Sequence, residues 1–315
     1  MTRVDRGACD VVGEAGERRV SYSGAVKRAA EADPVALPCV GDWVGIDGEV
    51  KDVLPRRTAI VRAGAAPGAS LGQVLAANVD VVYIAEPTVP DIDLGRIERF
   101  LALAWESGAA PVVIITKADL GFVDLAEIKA IAPGAAVCAV SSTTGEGLDA
   151  VRLPAGQTAV ILGRSGAGKS TLVNALADAD VMATKAIRDA DGRGRHTTVH
   201  RELIVLPGGG MIIDTPGLRG VGLFDSDDGL SLAFAEIEEL AARCQFHDCA
   251  HETEPGCAVL AAVKDGDLPQ RRFDSWRKLQ REVRWMASRT DARLRAEEAK
   301  KWKRISKAQK GHARP

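Results

Sequence analysis

Gly163-Arg-Ser-Gly-Ala-Gly-Lys-Ser170 decides the reading of this chain. These eight residues fit G-x-x-x-x-G-K-[ST] at every fixed position. An apolar run, Thr158-Ala-Val-Ile-Leu162, precedes them and reads as a buried strand. Thr171-Leu-Val-Asn-Ala-Leu176 follows and reads as a helix start. Strand, glycine loop and helix is the context that gives the motif meaning. Glycines let backbone N–H groups close around phosphate oxygens, and a helix N-terminus favours their negative charge. The expected phosphate-binding set is Gly163, Arg164, Ser165, Gly166, Ala167, Gly168, Lys169, Ser170 and Thr171. Lys169 would reach the β- and γ-phosphates, and the Ser170 hydroxyl would bind Mg²⁺.

Around this loop the chain alternates strands and helices. Val79–Ile84, Pro111–Ile115, Ala136–Val140 and Gly210–Asp214 are apolar and strand-like. Asp93 caps a helix with Leu94, Ile97, Leu101 and Ala104 at helical spacing, and Leu125–Ile131 is a second helix. Continuous apolar strands between helices predict a doubly wound parallel sheet, with ligands at the carboxyl ends of the strands. Those ends carry further signals. Thr116-Lys-Ala-Asp119 ends one strand, Ser141-Ser-Thr-Thr-Gly-Glu-Gly147 another, and Asp214-Thr-Pro-Gly217 a third. Asp119 can accept from N1–H and the 2-amino group of guanine, a donor pair that adenine lacks. The Lys117 stem can lie over the base. A backbone N–H from Ser142 or Thr143, next to Ser141, could bind O6. Asp214 would close the Mg²⁺ site through water, and Gly217 can present an N–H to the γ-phosphate. Each motif alone is weak or moderate; together beside a phosphate loop they point to a GTPase.

Their order is unusual. The base-reading motifs at 116–119 and 141–143 precede the phosphate loop, and the switch segments follow it. This order resembles that of the circularly permuted GTPases. A site built from strand ends survives permutation because it depends on where the ends lie in space.

Residues 1–76 differ from this pattern. Short segments such as Arg18–Tyr22 and Asp42–Ile46, broken by glycine, proline and charge, predict a small barrel or sandwich. Arg18, Arg19, Lys27, Arg28, Lys51, Arg56, Arg57 and Arg62 make it basic in patches. RNA binding is one use of such a barrel, and a plain solvated surface is the other.

C-terminal to the switches stands Cys244-x4-Cys249-x-His251-x5-Cys257. Three thiolates and an imidazole suit one tetrahedral, structural Zn²⁺. His247 is a rival ligand within the segment. Residues 230–243 and 275–287 read as flanking helices.

The 315 residues are 46% hydrophobic and 27% charged, enough for two or three domains with cores. The net charge of −2 does not announce a nucleic-acid binder. No apolar run is long enough to cross a bilayer, and no signal-peptide core follows the N-terminus, so a cytoplasmic protein is expected. The small net charge hides an uneven distribution. Residues 287–315 hold ten Lys and Arg against three Asp and Glu, a net of +7, which leaves −9 elsewhere. This tail is either a solvated helix or a basic arm that folds on RNA.

The barrel, the permuted motifs, Gly194-Arg-His-Thr-Thr198 and the Cys-His knuckle together resemble the ribosome small-subunit-dependent GTPase family, RsgA. Val53–Arg57, Gln73–Asp80 and Asp93–Phe100 also look like that family. The resemblance implies an α/β fold: a circularly permuted P-loop GTPase domain (77–225), an N-terminal OB-like barrel (1–76) and a C-terminal zinc-binding helical domain (226–315). It further implies GTP hydrolysis to GDP in late maturation of the small (30S) subunit, stimulated by that subunit, with 16S rRNA as partner and the chain monomeric. Thr197 and Thr198 would sense Mg²⁺ and γ-phosphate.

Three residues depart from common patterns. Thr116 stands where the family has Asn, which alters either a guanine ligand or a tether to the phosphate loop. Gly166 replaces the Asn of potassium-activated GTPases, so no such potassium site is expected. Leu218 stands where a Ras-like protein has its water-positioning Gln, and an apolar side chain cannot orient water. His196 is then the candidate catalytic residue with Lys169, the alternative being a surface loop histidine. The competing functional readings are a GTP-switched RNA-binding module and an assembly factor for another RNA-containing particle.

Overall fold

The computed structural model describes residues 1–14, 16–62, 72–182, 201–214 and 227–290. Its centre is a nine-stranded sheet. The strands, in chain order, are β1 (Arg3–Asp5), β2 (Ala8–Gly13), β3 (Gly16–Ser21), β4 (Val44–Asp47), β5 (Glu49–Val53), β6 (Ala59–Arg62), β7 (Gln73–Ala77), β8 (Val81–Pro87), β9 (Ala110–Thr116), β10 (Ala136–Val140), β11 (Thr158–Leu162), β12 (Glu202–Val205) and β13 (Met211–Asp214). The sheet order is β10-β9-β8-β11-β13-β12-β1-β2-β3. The first five of these are parallel. The sheet is therefore mixed: β12 turns antiparallel to β13, and β1 joins β12 at Arg3↔Glu202. A hairpin edge needs no crossover helix, so the N-terminal meander can extend the sheet directly.

Helices cover both faces of the parallel part. On one face, Val82, Ile84, Val113, Ile115, Val160 and Leu162 meet α2 (Leu94–Glu106) and α3 (Leu125–Ile131). On the other, Tyr83, Ala85, Ile114, Ala159 and Ile161 meet Leu172, Val173 and Leu176 of α4 (Lys169–Ala177). Neighbouring residues on each strand thus face opposite cores, the period of two expected of a pleated strand. Strand β11 is buried at all five positions, as its apolar sequence requires.

The N-terminal unit runs β1, β2, β3, α1 (Gly24–Ala32), β4, β5. Tyr22, just past β3, forms a parallel bridge with Val50 of β5, so the hairpin closes back on the meander in the OB-like manner. Cys9, Val11, Val20, Tyr22, Val26 and Val50 fill it. Ser23 caps α1 by accepting from the Val26 N–H at 3.3 Å. Two arginines counted in the basic patches have internal duties. Arg56 forks onto Asp42 at 2.7 and 2.8 Å and donates to the Val35 and Leu37 carbonyls. Arg19 bridges Asp5 and Asp10. The hairpin β6–β7 belongs to the sheet's core instead, through Ile60, Leu75 and Ala76.

The C-terminal helices are α5 (Asp227–Ala233), α6 (Ala235–Ala241), α7 (Ala258–Asp265) and α8 (Gln270–Thr290); α5 and α8 dock on α2, and α6 packs on α5 and α7. A Cβ at Gly229 would strike the Ala102 carbonyl, so α5 lies against α2 at backbone contact, and the Gly229 N–H donates to Glu106 at 2.9 Å. Buried charge fixes the rest. Glu98, fully buried on α2, accepts from Arg271 at 2.9 Å and Arg272 at 3.0 Å. Arg272 also donates to Glu236 and the Ala233 carbonyl, and its guanidinium lies over the Phe234 ring at 4.1 Å. At the margin, Arg99 forks onto Glu282 at 2.7 and 2.6 Å.

Removing one partner of a buried pair strands the other charge. Glu98→Gln should cost about 3 kcal/mol in denaturant unfolding. Arg99→Ala, at a half-exposed pair, should cost about 1 kcal/mol or less. Equal losses would show that burial does not set the strength of this junction.

Candidate functional site

Three adjacent strands bring the site together. β11 ends in the loop 163–168, with β8 beside it on one side and β13 on the other. Ile161 pairs with Asp214, so the last residue of β13 lies next to the base of the loop. Gly163 is required here because a Cβ would collide with the Ala85 carbonyl of β8. Gly168, at φ 78°, sits in the left-handed region that glycine tolerates and starts α4. The Lys169 ammonium folds back across the loop and donates to the Gly163 carbonyl at 2.8 Å and the Arg164 carbonyl at 2.9 Å. Ser170 follows in the first turn of α4.

Thr116 ends β9 and is buried. Its hydroxyl donates to the Ala167 carbonyl of the loop at 2.7 Å. The tether that an Asn would make is therefore made by a hydroxyl. The Thr116 carbonyl is held in turn by the Thr88 N–H and the Thr88 hydroxyl, both at 3.0 Å. Lys117 takes a left-handed φ of 58°, and its Cε comes within 4.0 Å of a Cβ placed on Gly168. Asp119 lies in the following helical turn and is exposed. That turn packs against β10, whose end carries buried Ser141 and half-buried Ser142. The Ser141 backbone pairs with Glu146 and Gly145, and its hydroxyl accepts from the Thr144 N–H at 3.1 Å, which curls 141–147 into a compact turn. The loop, the 116–119 segment and the 141–147 turn thus stand on neighbouring strand ends. His196, Thr197, Thr198, Gly217 and Leu218 lie outside the described residues, as does the basic tail from residue 291 on.

The rim of the site includes groups that motif reading did not name. Arg164 donates to the Val89 carbonyl at 3.3 Å and so joins the phosphate loop to the β8–α2 connection. Glu86, 1% exposed, accepts from Arg96 at 2.8 and 2.9 Å and from the Asp93 N–H at 3.2 Å. It anchors the start of α2 where Asp93 caps the helix. A carboxylate ending an apolar strand was the only sequence signal for it.

The second cluster lies at the C-terminal side. Cys244, Cys249, His251 and Cys257 bring their ligand atoms within 4.8 Å of one another, and His247 is not among them. Cys244 Sγ stands 3.6 Å from His251 Nδ1 and 3.9 Å from Cys257 Sγ, and Nδ1 stands 3.3 Å from Cys257 Sγ. Tetrahedral thiolates at about 2.3 Å from zinc lie about 3.8 Å apart, so the set fits zinc. Local structure sets each ligand. Cys257 caps α7, its sulfur accepting from the Leu260 N–H at 3.4 Å. His251 takes a left-handed φ of 55°. Burial lowers its pKa, which keeps the imidazole neutral and able to ligate. Glu254 holds the knuckle loop by accepting from the Ala250, Glu252 and Thr253 N–H groups. Hydrogen bonds from backbone N–H groups, its own included, lower its pKa to about 2.

Comparison with known proteins agrees with this layout. The RsgA GTPase family model matches residues 53–224. The small ribosomal subunit biogenesis GTPase RsgA of Streptomyces avermitilis is 53% identical over 317 residues, covering 96% of this chain and 84% of that protein. The crystal structure of YjeQ from Thermotoga maritima superposes with a TM-score of 0.64 at 25% identity, covering 90% of this chain and 96% of that one. YloQ, described as a circularly permuted GTPase, superposes with a TM-score of 0.59 at 24% identity, over 90% and 93% of the two chains. With its permuted strand order, phosphate loop and Cys-His knuckle, this chain belongs to the RsgA GTPase family.

Proposed function

We propose that this protein hydrolyses GTP to GDP and phosphate during late maturation of the small ribosomal subunit, and that the subunit stimulates the reaction. The observation that carries the reading is the junction of the phosphate loop with a base-reading segment, made by the Thr116–Ala167 hydrogen bond. Membership of the RsgA family and the printed function of its Streptomyces relative support it. Among the described residues no helix is long and apolar enough to cross a membrane. A cytoplasmic monomer acting on 30S particles and their 16S rRNA is the form we propose.

The roles follow from chemistry. Residues 163–171 would cradle the phosphates. Lys169 would exchange its loop-carbonyl acceptors for phosphate oxygens, and Ser170 and Asp214 would hold Mg²⁺. Asp119 would read guanine, Lys117 would cover it, and Ser141 and Ser142 would close the base pocket. Thr197, Thr198 and Gly217 would sense the γ-phosphate, with His196 orienting the attacking water in place of Leu218. Cys244, Cys249, His251 and Cys257 would hold one structural zinc, which supplies folding energy and no catalytic step. The division into 1–76, 77–225 and 226–315 accompanies this proposal.

The primary test is single-turnover GTP hydrolysis with and without saturating 30S particles. Wild type should accelerate on 30S, and Lys169→Ala should lose turnover in both conditions while keeping its melting temperature. Absence of stimulation, with GTP-dependent RNA binding retained, would favour a GTP-switched RNA-binding module. Thr116→Val removes the donor to Ala167 and leaves that acceptor unsatisfied, a cost of about 1–3 kcal/mol. GDP and GTP affinity should fall about tenfold or more in equilibrium binding, and Thr116→Asn should restore it. Unchanged affinity in Thr116→Val would remove the tether from the argument. For the knuckle, elemental analysis should find about one zinc per wild-type chain and far less in Cys249→Ser, with the helices around 235–288 losing protection from hydrogen exchange. Full zinc in that variant would mean other ligands hold it.

A further inference from the structure

Two arginines stand beside the connection from β8 to α2, and they are held differently. Arg96 forks onto Glu86 at 2.8 and 2.9 Å and reaches Asp93 at 3.3 Å, so its charge is met inside the fold. Arg164, the second residue of the loop 163–168, has no such partner. Among the described residues it forms no ion pair, and its guanidinium makes a single long hydrogen bond, 3.3 Å from Nη2 to the Val89 carbonyl. Its Nε–H is buried and meets no acceptor. An unsatisfied donor on a charged group is costly away from water, so a better acceptor would draw the side chain from this position.

Lys169 marks where that acceptor would lie. Its ammonium, which by its motif position reaches the β- and γ-phosphates, donates to the Gly163 carbonyl at 2.8 Å and the Arg164 carbonyl at 2.9 Å. A phosphate oxygen that replaces these carbonyls at Nζ lies beside the Arg164 backbone, within the length of its side chain. The mouth of the loop is clear for that movement. Ser165 and Gly166 are exposed, and a Cβ on Gly166 would meet nothing within 4 Å.

We propose that Arg164 is a catalytic residue of GTP hydrolysis. With GTP bound, its guanidinium leaves the Val89 carbonyl and forks onto the γ-phosphoryl group and the β–γ bridging oxygen. The inference rests on the GTPase reading above and deepens it. In the step itself the water oxygen bonds to the γ-phosphorus. The bond from that phosphorus to the bridging oxygen breaks, and its electron pair stays with GDP. Both hydrogens of the water leave with the phosphate. Negative charge builds on the bridging oxygen as the bond parts, so a guanidinium placed there stabilises the transition state more than bound GTP. Its paired N–H donors suit two oxygens at once, which an ammonium does not. An arginine supplied by the enzyme's own chain is an established way to stabilise this charge in GTPases. Leu218, which follows Asp214-Thr-Pro-Gly217, brings no polar side chain to the reaction. More of the barrier is then left to charge stabilisation.

The test uses full-length Arg164→Gln, which keeps an N–H donor for Val89 and removes the charge. Single-turnover GTP hydrolysis is measured with and without saturating 30S particles. GDP binding is measured in the same two conditions, with and without aluminium fluoride, a mimic of the phosphoryl group in flight. Turnover should fall about a hundredfold or more in the condition where wild type is fastest. GDP affinity and melting temperature should match wild type, while the affinity that aluminium fluoride adds in wild type should be lost. Arg164→Ala should give the same pattern and takes the place of Arg164→Gln should that variant melt early. A smaller loss of turnover in a folded variant would overturn the proposal. So would a fall in GDP affinity as large as the fall in turnover, because Arg164 would then only shape the loop. A retained response to aluminium fluoride would overturn it as well. Wild type that hydrolyses GTP with no response to 30S overturns the ribosomal reading and leaves Arg164 judged on the unstimulated rate. Wild type with no turnover in either condition overturns both.

Discussion

The burial of strand β11 is the constraint from which the rest of this structure follows. Its five residues have no exposed side chain, with β8 hydrogen-bonded along one edge and β13 along the other. A strand covered on both faces and paired on both edges has one register open to it, because a slip would carry every side chain to the wrong core. Its end is therefore fixed, and the loop that leaves it starts against the Ala85 carbonyl with room only for glycine. Everything proposed for the phosphates depends on that fixed start.

Thr116 passes this rigidity sideways. One hydroxyl joins the end of β9 to the loop, and one carbonyl joins it to Thr88 in the β8–α2 connection. Arg164 makes a second link from the loop to the same connection at Val89. The loop 163–168, the 116–119 segment and the start of α2 are thus bonded to one another through short polar contacts. Glu86 completes the set by holding Arg96 and the Asp93 N–H in a nearly dry environment.

Helix α2 is consequently shared. Its first turn borders the loop 163–168 through Glu86 and Arg164, and its outer face carries α5 and α8 through Gly229, Glu98 and Arg99. Permutation makes this placement economical. The chain leaves the sheet after β13 and enters α5 only thirteen residues later, directly against α2. A buried pair such as Glu98–Arg272, with Glu236 at its solvent edge, adds little net stability over apolar packing, yet it penalises any other docking angle by stranding charge. The junction is better understood as a device of orientation than as a source of folding energy.

The sequence by itself determined the local elements and the chemical classes. Helix 125–131 and strands 136–140 and 158–162 lie where periodicity put them, because short apolar runs bounded by caps and glycines leave little choice. The Cys-His spacing picked out the four side chains that cluster, with His247 as a rival, since a knuckle is a local loop closed by near neighbours. Tertiary structure alone decided what depends on residues far apart in the chain. That Thr116 replaces an Asn tether required Ala167, fifty-one residues on, to present its carbonyl. That Arg56 is internal required Asp42 and the Val35 carbonyl to surround it, although its sequence neighbours read as a surface patch. Charge in a sequence gives sign and spacing, but whether a guanidinium meets a carboxylate or solvent is settled only when distant segments bury it or leave it exposed.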